Sequence, residues 1–258
     1  KVVLGLSGGV DSAVVAALAA RALGPENVLT LAMPSRYSSG HSVGDAMALA
    51  DALGIEMRTM PIQPLHERFE QALDGHWPAE RPGAADENVQ ARIRGVLVMA
   101  LSNATGALAL ATGNKSELAT GYCTLYGDMN GGLAVIGDVP KTMVYDLARE
   151  LNRQMGSPIP ARTISKPPWA ELKPGQIDQD RLPAYETLDP ILTRFIEQDQ
   201  SVEEIVAAGF DEGVVRRIVR MINAAEYKRR QAPPALKVTA KAFGSGRRIP
   251  IACRRECD

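Results

Sequence analysis

The stretch LGLSGGVDS at residues 4–12 constrains the fold more than any other part of this 258-residue chain. An apolar strand runs into Ser-Gly-Gly, and Asp-Ser then opens a helix rich in alanine and valine. Glycines let the backbone turn sharply and bring its N–H groups close to a ligand, and the helix N-terminus adds the positive end of its dipole. The alternative is that the glycines only turn the chain and that Asp11 or Ser12 caps the helix. The Ser-Gly-Gly-x-Asp-Ser pattern directly after a first strand favours a phosphate site.

Asp11 indicates what else that site needs. A carboxylate beside a phosphate repels it unless a cation lies between them, and Mg²⁺ takes such a position with one or two carboxylates and phosphate oxygens. The turn is not the commoner G-x-x-x-x-G-K-[ST] loop, because no Lys follows the glycines, and it is not the G-x-G-x-x-G dinucleotide fingerprint. The pattern therefore predicts a magnesium-dependent phosphate site of another class.

Strand-like and helix-like segments alternate along the first half of the chain, which predicts a parallel sheet with helices on both faces. The predicted strands are 2–6, 28–33, 55–60 and 107–112; the predicted helices are 12–23, 41–53, 90–103, 141–155, 184–199, 202–209 and 211–227. The glycine-rich 127–137 stretch is predicted to be a mobile loop, and the Pro-rich 158–183 stretch a functional loop or lid. The expected fold class is α/β: a doubly wound, mostly parallel five-stranded sheet, with a helical C-terminal part at about residues 184–230.

Composition excludes several classes of function. Lys and Arg number 29 against 30 Asp and Glu, and aromatic residues make up 5%, so neither broad nucleic-acid binding nor membrane binding is expected. The sequence contains no apolar run of about 18 residues and no signal-peptide pattern, and we expect a cytoplasmic protein. The chain has three cysteines, Cys123, Cys253 and Cys257. They are too few for a disulfide framework, and we do not expect a zinc site. Cys123 is expected to be half-buried and not catalytic, and His41, His66 and His76 to be surface or capping residues.

The chain begins directly in a predicted core strand. Two interpretations remain open at this point. A further domain precedes the strand in a longer protein, or the chain has been trimmed at a disordered end.

A second block, ATGNKSELATGYCTLYGD at residues 111–128, narrows the function. Together with the loop at residues 4–12 it resembles the NAD synthetase family, a branch of the ATP-pyrophosphatase loop enzymes. Three further blocks resemble the same family in the same order: ENVQARIR at 87–94, KTMVYDLA at 141–148 and EYKRR at 226–230. The resemblance implies an adenine nucleotide alpha hydrolase-like fold and one synthetase domain over residues 1–258.

The resemblance also implies a reaction in two steps. ATP adenylates the nicotinate carboxylate of nicotinic acid adenine dinucleotide (deamido-NAD) and releases pyrophosphate, and ammonia then displaces AMP and leaves the amide of NAD. ATP is thus an implied co-substrate and Mg²⁺ an implied cofactor. The protein has to neutralise phosphate charge, align the carboxylate with the α-phosphate and exclude water.

The family's site residues carry over to matching positions of this sequence. The implied ATP contacts are Gly5, Ser7, Gly8, Gly9, Val10, Asp11, Ser12, Met33, Arg36, Thr112 and Lys141. The implied deamido-NAD contacts are Asn88, Arg92, Glu117, Tyr122, Cys123, Thr124, Leu125 and Lys228. Asp11 and Glu117 are the implied Mg²⁺ ligands, and the implied catalytic groups are Asp11, Lys141 and Asp128, the last of these near the reacting carboxylate. Taken singly, Thr112, Glu117 and Lys141 are ordinary strand-end or helix residues, and the matched blocks favour function.

The family has two subclasses, which differ in their source of ammonia. One uses free ammonia, and the other carries an N-terminal glutaminase domain that supplies ammonia through a tunnel. The chain departs from the ammonia-only pattern at Leu125, where a lysine is expected, and at Trp169, where a small hydroxyl residue is expected. The 122–128 block and the 237–251 tail resemble the glutamine-dependent subclass. We therefore expect the synthetase domain of a glutamine-dependent enzyme, with the glutaminase domain outside this chain, and by resemblance a homodimer with deamido-NAD near the subunit interface.

Other functions remain as alternatives: an ammonia-only NAD synthetase, another ligase with the same loop such as GMP synthetase or asparagine synthetase, and a non-catalytic nucleotide-binding module. The G-Y-x-T-x-Y-G-D block argues against GMP and asparagine synthetases. A tRNA-thiolating relative would need paired cysteines or a basic face, and neither is evident. A binding module needs the phosphate loop, but not Glu117, Lys141 and Asp128 together.

Overall fold

The computed structural model describes residues 1–77, 83–168, 171–173, 178–244 and 246–251. Five parallel strands form one sheet in the order β3-β2-β1-β4-β5. The strands are β1 (Val2–Gly5), β2 (Val28–Ala32), β3 (Glu56–Thr59), β4 (Leu108–Ala111) and β5 (Leu133–Ala134). The predictions about Trp169, Cys253 and Cys257 concern positions outside the described residues.

Eleven α-helices are assigned within the described residues. They are α1 (Val10–Leu23), α2 (Gly40–Leu53), α3 (Gln63–Leu73), α4 (Gly83–Thr105), α5 (Lys115–Thr120), α6 (Lys141–Met155), α7 (Ala161–Ser165), α8 (Tyr185–Leu192), α9 (Val202–Ala207), α10 (Glu212–Ala224) and α11 (Glu226–Arg229). A π-helical turn, Thr193–Glu197, follows α8, and short 3₁₀ turns lie at Pro25–Asn27 and Asp178–Asp180. None of the described helices has both the length and the apolar character that crossing a membrane requires.

The central strand β1 is apolar throughout because helices cover both faces of the sheet. Val2 and Leu4 point into a layer formed by α1, α2 and α6, whereas Val3 points into the opposite layer, against α4. A strand buried on both sides needs hydrophobic side chains at consecutive positions, as its sequence has. The predicted doubly wound α/β fold is therefore confirmed.

The order of the strands places a crevice at one edge of the sheet. The chain adds β2 and β3 on one side of β1, then crosses to place β4 and β5 on the other side. Open α/β sheets bind ligands outside the carboxyl ends of their strands at such a reversal of strand order. The crevice between the ends of β1 and β4 is therefore the expected location of a site.

Three details of the sequence prediction differ from the structure. The 127–137 stretch contains β5, and its glycines allow close packing: a Cβ on Gly132 would lie 2.4 Å from the Leu108 side chain. His66 is not a surface residue, because it is fully buried and its Nε2 lies 2.9 Å from Asp86 Oδ1, where it joins α3 to α4. The prediction omitted α3 altogether, since most of its side chains are polar and exposed.

The C-terminal helices form a second apolar core that is built against α5. Leu188, Ile191, Ile205 and Ile218 from this part pack with Ala119 of α5. A buried ammonium adds a polar anchor at the first residue of the same helix. Lys115 Nζ lies 2.9 Å from Asp138 Oδ1, from Glu197 Oε1 and from the carbonyl oxygen of Lys241. The helical part and the tail are therefore fastened to the sheet at α5.

Candidate functional site

Two adjoining cavities lie at the carboxyl ends of β1 and β4. The larger has a volume of about 280 Å³ and the smaller about 160 Å³. Both are lined by the first turn of α1 and its preceding loop, and they share six residues: Ser7, Gly9, Ser12, Thr112, Asp128 and Lys166. The larger cavity has mainly apolar walls, whereas carboxylates and Lys141 surround the smaller one. The arrangement suits a ligand with an apolar end and a highly charged end.

The loop before α1 has the geometry of an anion cradle. Gly8 has a positive φ of 78°, and a Cβ on it would lie 2.2 Å from the carbonyl oxygen of Ser42, so only glycine fits. Gly9 is the N-cap residue of α1, and no side chain caps the helix. The alternative that Asp11 or Ser12 serves only as a cap is thus wrong. The uncapped N–H groups of the first turn can receive an anion.

Three charged side chains meet in the smaller cavity. Asp11 Oδ2 accepts a hydrogen bond from Lys141 Nζ at 2.5 Å, and Asp11 Oδ1 accepts one from Asn114 Nδ2 at 2.9 Å. Glu117 Oε1 lies 3.6 Å from Lys141 Nζ. Each charged residue comes from the first turn of a different helix: α1 for Asp11, α5 for Glu117 and α6 for Lys141. The sequence separates these helices widely, and the sheet brings their N-termini together.

Local hydrogen bonds hold Glu117 and Lys141 in place. Asn114 and Glu117 form a reciprocal capping box at the start of α5. Asp189, buried on α8, accepts hydrogen bonds from the Ser116 hydroxyl at 2.5 Å and from the Thr142 N–H and hydroxyl at 2.8 Å each. Ser116 Oγ in turn accepts the N–H of Lys141 at 2.9 Å. One carboxylate therefore links the N-termini of α5 and α6.

The charges in this cavity are not balanced. Burial and the neighbouring Asp11 carboxylate together raise the pKa of Glu117 to about 8, against the opposing effect of Lys141. Burial lowers the pKa of Lys141, but Asp11 and Glu117 outweigh it, so the pKa lies above its usual value. Two carboxylates thus share one ammonium, and an added cation would relieve their repulsion. Oxygen ligands of this kind suit Mg²⁺, so the residues present fit the metal that the sequence predicts.

Most of the predicted ATP contacts line the two cavities, but Arg36 does not. Ser7, Gly9, Ser12 and Thr112 line both cavities, Gly5 and Met33 line the larger one, and Val10, Asp11 and Lys141 line the smaller one. Arg36 is exposed, and its Nη2 forms a salt bridge with Glu70 on α3 at 2.7 Å. It is not among the described residues that line either cavity.

The predicted deamido-NAD contacts gather around the 121–128 loop. Thr124 donates its hydroxyl to Asn88 Oδ1 at 2.8 Å, and Arg92 Nε donates to the Leu125 carbonyl oxygen at 3.2 Å. Lys228 Nζ donates to the carbonyl oxygens of Gly121 at 2.8 Å and Cys123 at 2.7 Å. Glu117 and Tyr122 instead line the smaller cavity. The residues of this set are close neighbours, although they come from four parts of the chain.

Asp128 and Cys123 have different protonation behaviour within this loop. Asp128 lines both cavities and its side chain is exposed to them, and desolvation by the cavity walls raises the pKa of its carboxyl group to about 6. Hydrogen bonds from backbone N–H groups, including the 2.6 Å bond from Thr124, partly oppose the increase. Burial also raises the pKa of the Cys123 thiol to about 12. Asp128 can therefore exchange a proton near neutral pH, and Cys123 is held as a thiol.

Sequence reasoning did not single out several residues that line the cavities, and five of them carry polar or charged side chains that bear on the site. They are Arg94, Thr163, Lys166, Glu171 and Asp178. Four of them lie in the described part of the Pro-rich 158–183 stretch. Glu171 accepts the Ser42 hydroxyl at 2.6 Å, and Asp178 accepts the Tyr185 hydroxyl at 2.8 Å. For the four residues of that stretch, the prediction of a functional loop was the signal in the sequence, and Arg94 lies in the matched 87–94 block.

Thr163 has a polar group that the fold leaves free. Its side chain is buried and lines the smaller cavity, and its hydroxyl has no hydrogen-bond partner among the described residues. Buried hydroxyls are normally satisfied. The cavity therefore offers a hydroxyl as well as charged groups to a ligand.

Comparison with known proteins identifies the family to which this chain belongs. The family model described as NAD synthase matches residues 1–232. The glutamine-dependent NAD(+) synthetase of Synechocystis sp. is 58% identical over 98% of this chain, which spans 45% of that protein. A structure of the Acinetobacter baumannii glutamine-dependent NAD+ synthetase with adenosine diphosphate has 44% identity, a TM-score of 0.64 and coverage of 97% of this chain and 45% of the other. The structure of the NH3-dependent NAD synthetase of Campylobacter jejuni has 30% identity and a TM-score of 0.72. The match covers 92% of this chain and 90% of the other. The chain thus spans about half the length of the curated relatives it matches, and it belongs to the NAD synthase family.

Proposed function

We propose that this chain is the synthetase part of a glutamine-dependent NAD synthetase and that it converts deamido-NAD, ATP and ammonia into NAD, AMP and pyrophosphate. The cluster of Asp11, Glu117 and Lys141 beside an uncapped helix N-terminus carries the proposal. A simple nucleotide-binding module would not need two carboxylates and a buried lysine next to its phosphate loop. The family supplies the reaction type, a ligase that forms a carbon–nitrogen bond.

The adenylation step uses both cavities. The adenosine of ATP occupies the larger cavity, and the triphosphate crosses the Ser7-Gly8-Gly9 turn toward Lys141. N–H groups of the first turn of α1 and the Lys141 ammonium stabilise the negative charge that moves to the departing pyrophosphate. Mg²⁺, held by Asp11 and Glu117, would add charge neutralisation at the phosphate oxygens. A nicotinate carboxylate oxygen attacks the α-phosphorus, and the bond from that phosphorus to the bridging oxygen of pyrophosphate breaks.

The amination step uses the region where the cavities meet. Ammonia attacks the carbonyl carbon of the acyl-adenylate, the carbon–oxygen bond to AMP breaks, and the nitrogen loses a proton. Asp128 lies at this junction and can accept that proton when it is ionised. The 121–128 loop, with Asn88, Arg92 and Lys228 behind it, binds the dinucleotide.

Several partners belong to the same proposal. The relatives are about twice as long as this chain, and the glutaminase domain that releases ammonia from glutamine lies in the part that this chain does not match. Residues 1–258 then act as one synthetase domain, and two copies form a homodimer with deamido-NAD near their interface.

A turnover assay tests the proposal. The chain is supplied with ATP, Mg²⁺ and deamido-NAD, with either ammonia or glutamine as the nitrogen source, and NAD, AMP and pyrophosphate are quantified. We expect equal amounts of the three products from ammonia and no NAD from glutamine, because the glutaminase lies elsewhere. Nicotinic acid mononucleotide serves as a shorter control acceptor with the same carboxylate. Pyrophosphate release that no acceptor stimulates, from a folded sample, would contradict the proposal.

The rate of amination should depend on the ionisation of Asp128. Its pKa of about 6 means that the carboxylate predominates above pH 6 and that the proton acceptor is lost below it. We expect kcat/KM for ammonia, expressed per concentration of free NH3, to fall about tenfold per pH unit below pH 6. In Asp128→Asn this acid limb should disappear along with most of the activity. An unchanged acid limb in the variant would show that another group titrates.

Lys228→Ala should weaken acceptor binding more than ATP binding. The ammonium donates to two carbonyl oxygens of the 121–128 loop, so its removal loosens the surface that receives deamido-NAD. Hydrogen bonds to charged groups contribute about 1.5 kcal/mol or more, so we expect the KM for deamido-NAD to rise about tenfold. The KM for ATP should change less than about twofold. Steady-state kinetics with each substrate varied in turn provides the measurement, and equal changes in both KM values would contradict the assignment.

A further inference from the structure

One side of α4 forms a wall of the larger cavity. Ala91, Arg94, Gly95 and Val98 lie at helical spacing and line the cavity together. Arg94 is the only cation among these four residues. Its Nε donates to the carbonyl oxygen of Met33, just beyond the end of β2, at 3.0 Å. This hydrogen bond fixes the guanidinium beside the carboxyl end of the sheet.

The other nitrogens of Arg94 have no partner in the described part of the chain. No carboxylate there forms a salt bridge with it, and the bond to Met33 is its only hydrogen bond. Arg229 provides a contrast, since it bonds Glu226 and the carbonyl oxygens of Leu118, Ala119 and Ile222. Burial lowers the pKa of Arg94 to about 10, and the charge on Glu171 only partly opposes this effect. Arg94 is half-buried and lines the cavity, so its free N–H groups are available to an acceptor on a ligand that enters the cavity.

The walls around Arg94 indicate which part of a ligand lies there. Leu31, Ala32, Pro34 and Val98 form an apolar slot suited to a flat ring. The phosphate cradle and Lys141 lie at the other end of the joined cavities, so the charged end of a nucleotide is accommodated elsewhere. A guanidinium can only donate hydrogen bonds. The group that meets it in the slot must therefore present an acceptor, and the ring nitrogens of a purine are acceptors.

We infer that the terminal nitrogens of Arg94 donate a hydrogen bond to a ring nitrogen of the adenine of ATP, which makes Arg94 a base-recognition residue. The inference rests on the proposed function in placing ATP in this cavity. It assigns a role in nucleotide recognition to a residue of α4 that was not among the predicted site residues. It also explains why the wall of an apolar slot contains an unpaired arginine.

Equilibrium binding of ATP in the presence of Mg²⁺, measured by calorimetry, tests the inference. Arg94→Gln should weaken ATP binding about tenfold or more, as expected for the loss of a hydrogen bond from a charged donor. Arg94→Lys keeps the positive charge but loses the planar guanidinium with its two terminal nitrogens, and it should weaken ATP binding less than Arg94→Gln does. Arg58→Gln, an exposed arginine on β3 that pairs with Glu56, is the matched control and should bind like the wild type. An Arg94→Gln variant that is folded and binds ATP as Arg58→Gln does would overturn the inference.

Deaza analogues locate the contact without requiring a variant to fold. We expect one of 1-deaza-, 3-deaza- and 7-deaza-ATP to bind wild type about tenfold more weakly than ATP. The same analogue should show no further loss with Arg94→Gln, because the two changes remove one hydrogen bond. The inference would be overturned if wild-type protein bound all three analogues as tightly as ATP. It would also be overturned if the analogue bound more weakly than ATP by the same factor in Arg94→Gln as in the wild type. Because binding is measured without the acceptor, a chain that binds ATP through Arg94 but makes no NAD would fail the proposed function only.

Discussion

Asp11→Asn should abolish adenylation and leave the fold intact. The carboxylate provides one of two proposed Mg²⁺ ligands and is the group closest to Lys141 Nζ, at 2.5 Å. Asparagine has nearly the same shape and can still accept the bond from Asn114, but it has no negative charge. Removal of a single preorganised electrostatic group commonly costs a factor of about 10²–10³, and loss of a metal ligand adds to it, so we expect a loss of about 10³ or more.

Acceptor-dependent pyrophosphate release measures the effect of Asp11→Asn, with circular dichroism as the test of folding. A titration with Mg²⁺ adds a second readout, because a weakened site needs more metal for half-maximal activity. Asp51→Asn, at an exposed position of α2, is a control for the same chemical change and should retain full activity. Normal turnover by Asp11→Asn at low Mg²⁺ would refute the metal role.

Lys141→Met should lower both activity and stability. Methionine fills nearly the same space but leaves Asp11 and Glu117 without their shared ammonium. Breaking a buried ion pair costs about 3–5 kcal/mol, although the partial exposure of both carboxylates reduces this value. We expect adenylation to fall about 10²–10³-fold, as for other groups that stabilise a transferred phosphate. Thermal unfolding and pyrophosphate release measure the two effects, and Lys237→Met, at an exposed position of the tail, is the control.

The stability of Lys141→Met should also depend on pH in a defined direction. In the wild-type fold the pKa of Glu117 is about 8, against 4.5 for the ordinary group. The folded state therefore binds more protons than the unfolded state between these values, and Glu117 destabilises the fold increasingly as pH rises through that window. Removal of the ammonium raises this pKa further. The variant should thus melt at a lower temperature at pH 8 than at pH 6, and Mg²⁺ should recover part of the loss. If the variant melted at the wild-type temperature at both pH values, this would contradict the interpretation that Lys141 stabilises the carboxylates of Asp11 and Glu117.

Much of the fold and part of the site follow from local sequence. The strand–turn–helix at residues 2–23 is encoded within its own segment, by apolar residues that suit burial on both faces and by a glycine at positive φ. The alternation of strands and helices determines a parallel sheet, and a parallel sheet determines which loops share an edge. Asp11, Glu117 and Lys141 could therefore be predicted to meet, because each lies at a helix start after a strand or in a matched block.

Other features depend on contacts between distant segments and have no local signal. Arg36 follows β2, whose carboxyl end borders the larger cavity, but its guanidinium forms a salt bridge with Glu70 on α3. β5 has only two residues and exists through its pairing with β4. Asp178 and Thr163 come from a segment with little periodicity, and only the folded chain shows that they border a cavity.

The helix α5 has only six residues and carries Glu117. A helix of this length is not stable alone, so contacts with other parts of the chain hold it and orient Glu117. Lys115 binds Asp138, Glu197 and the tail, and Ser116 binds Asp189 of α8. The reactive end of the sheet and the last part of the chain therefore form one mechanical unit. A change at residues 239–241 is therefore expected to shift the position of Glu117 through Lys115.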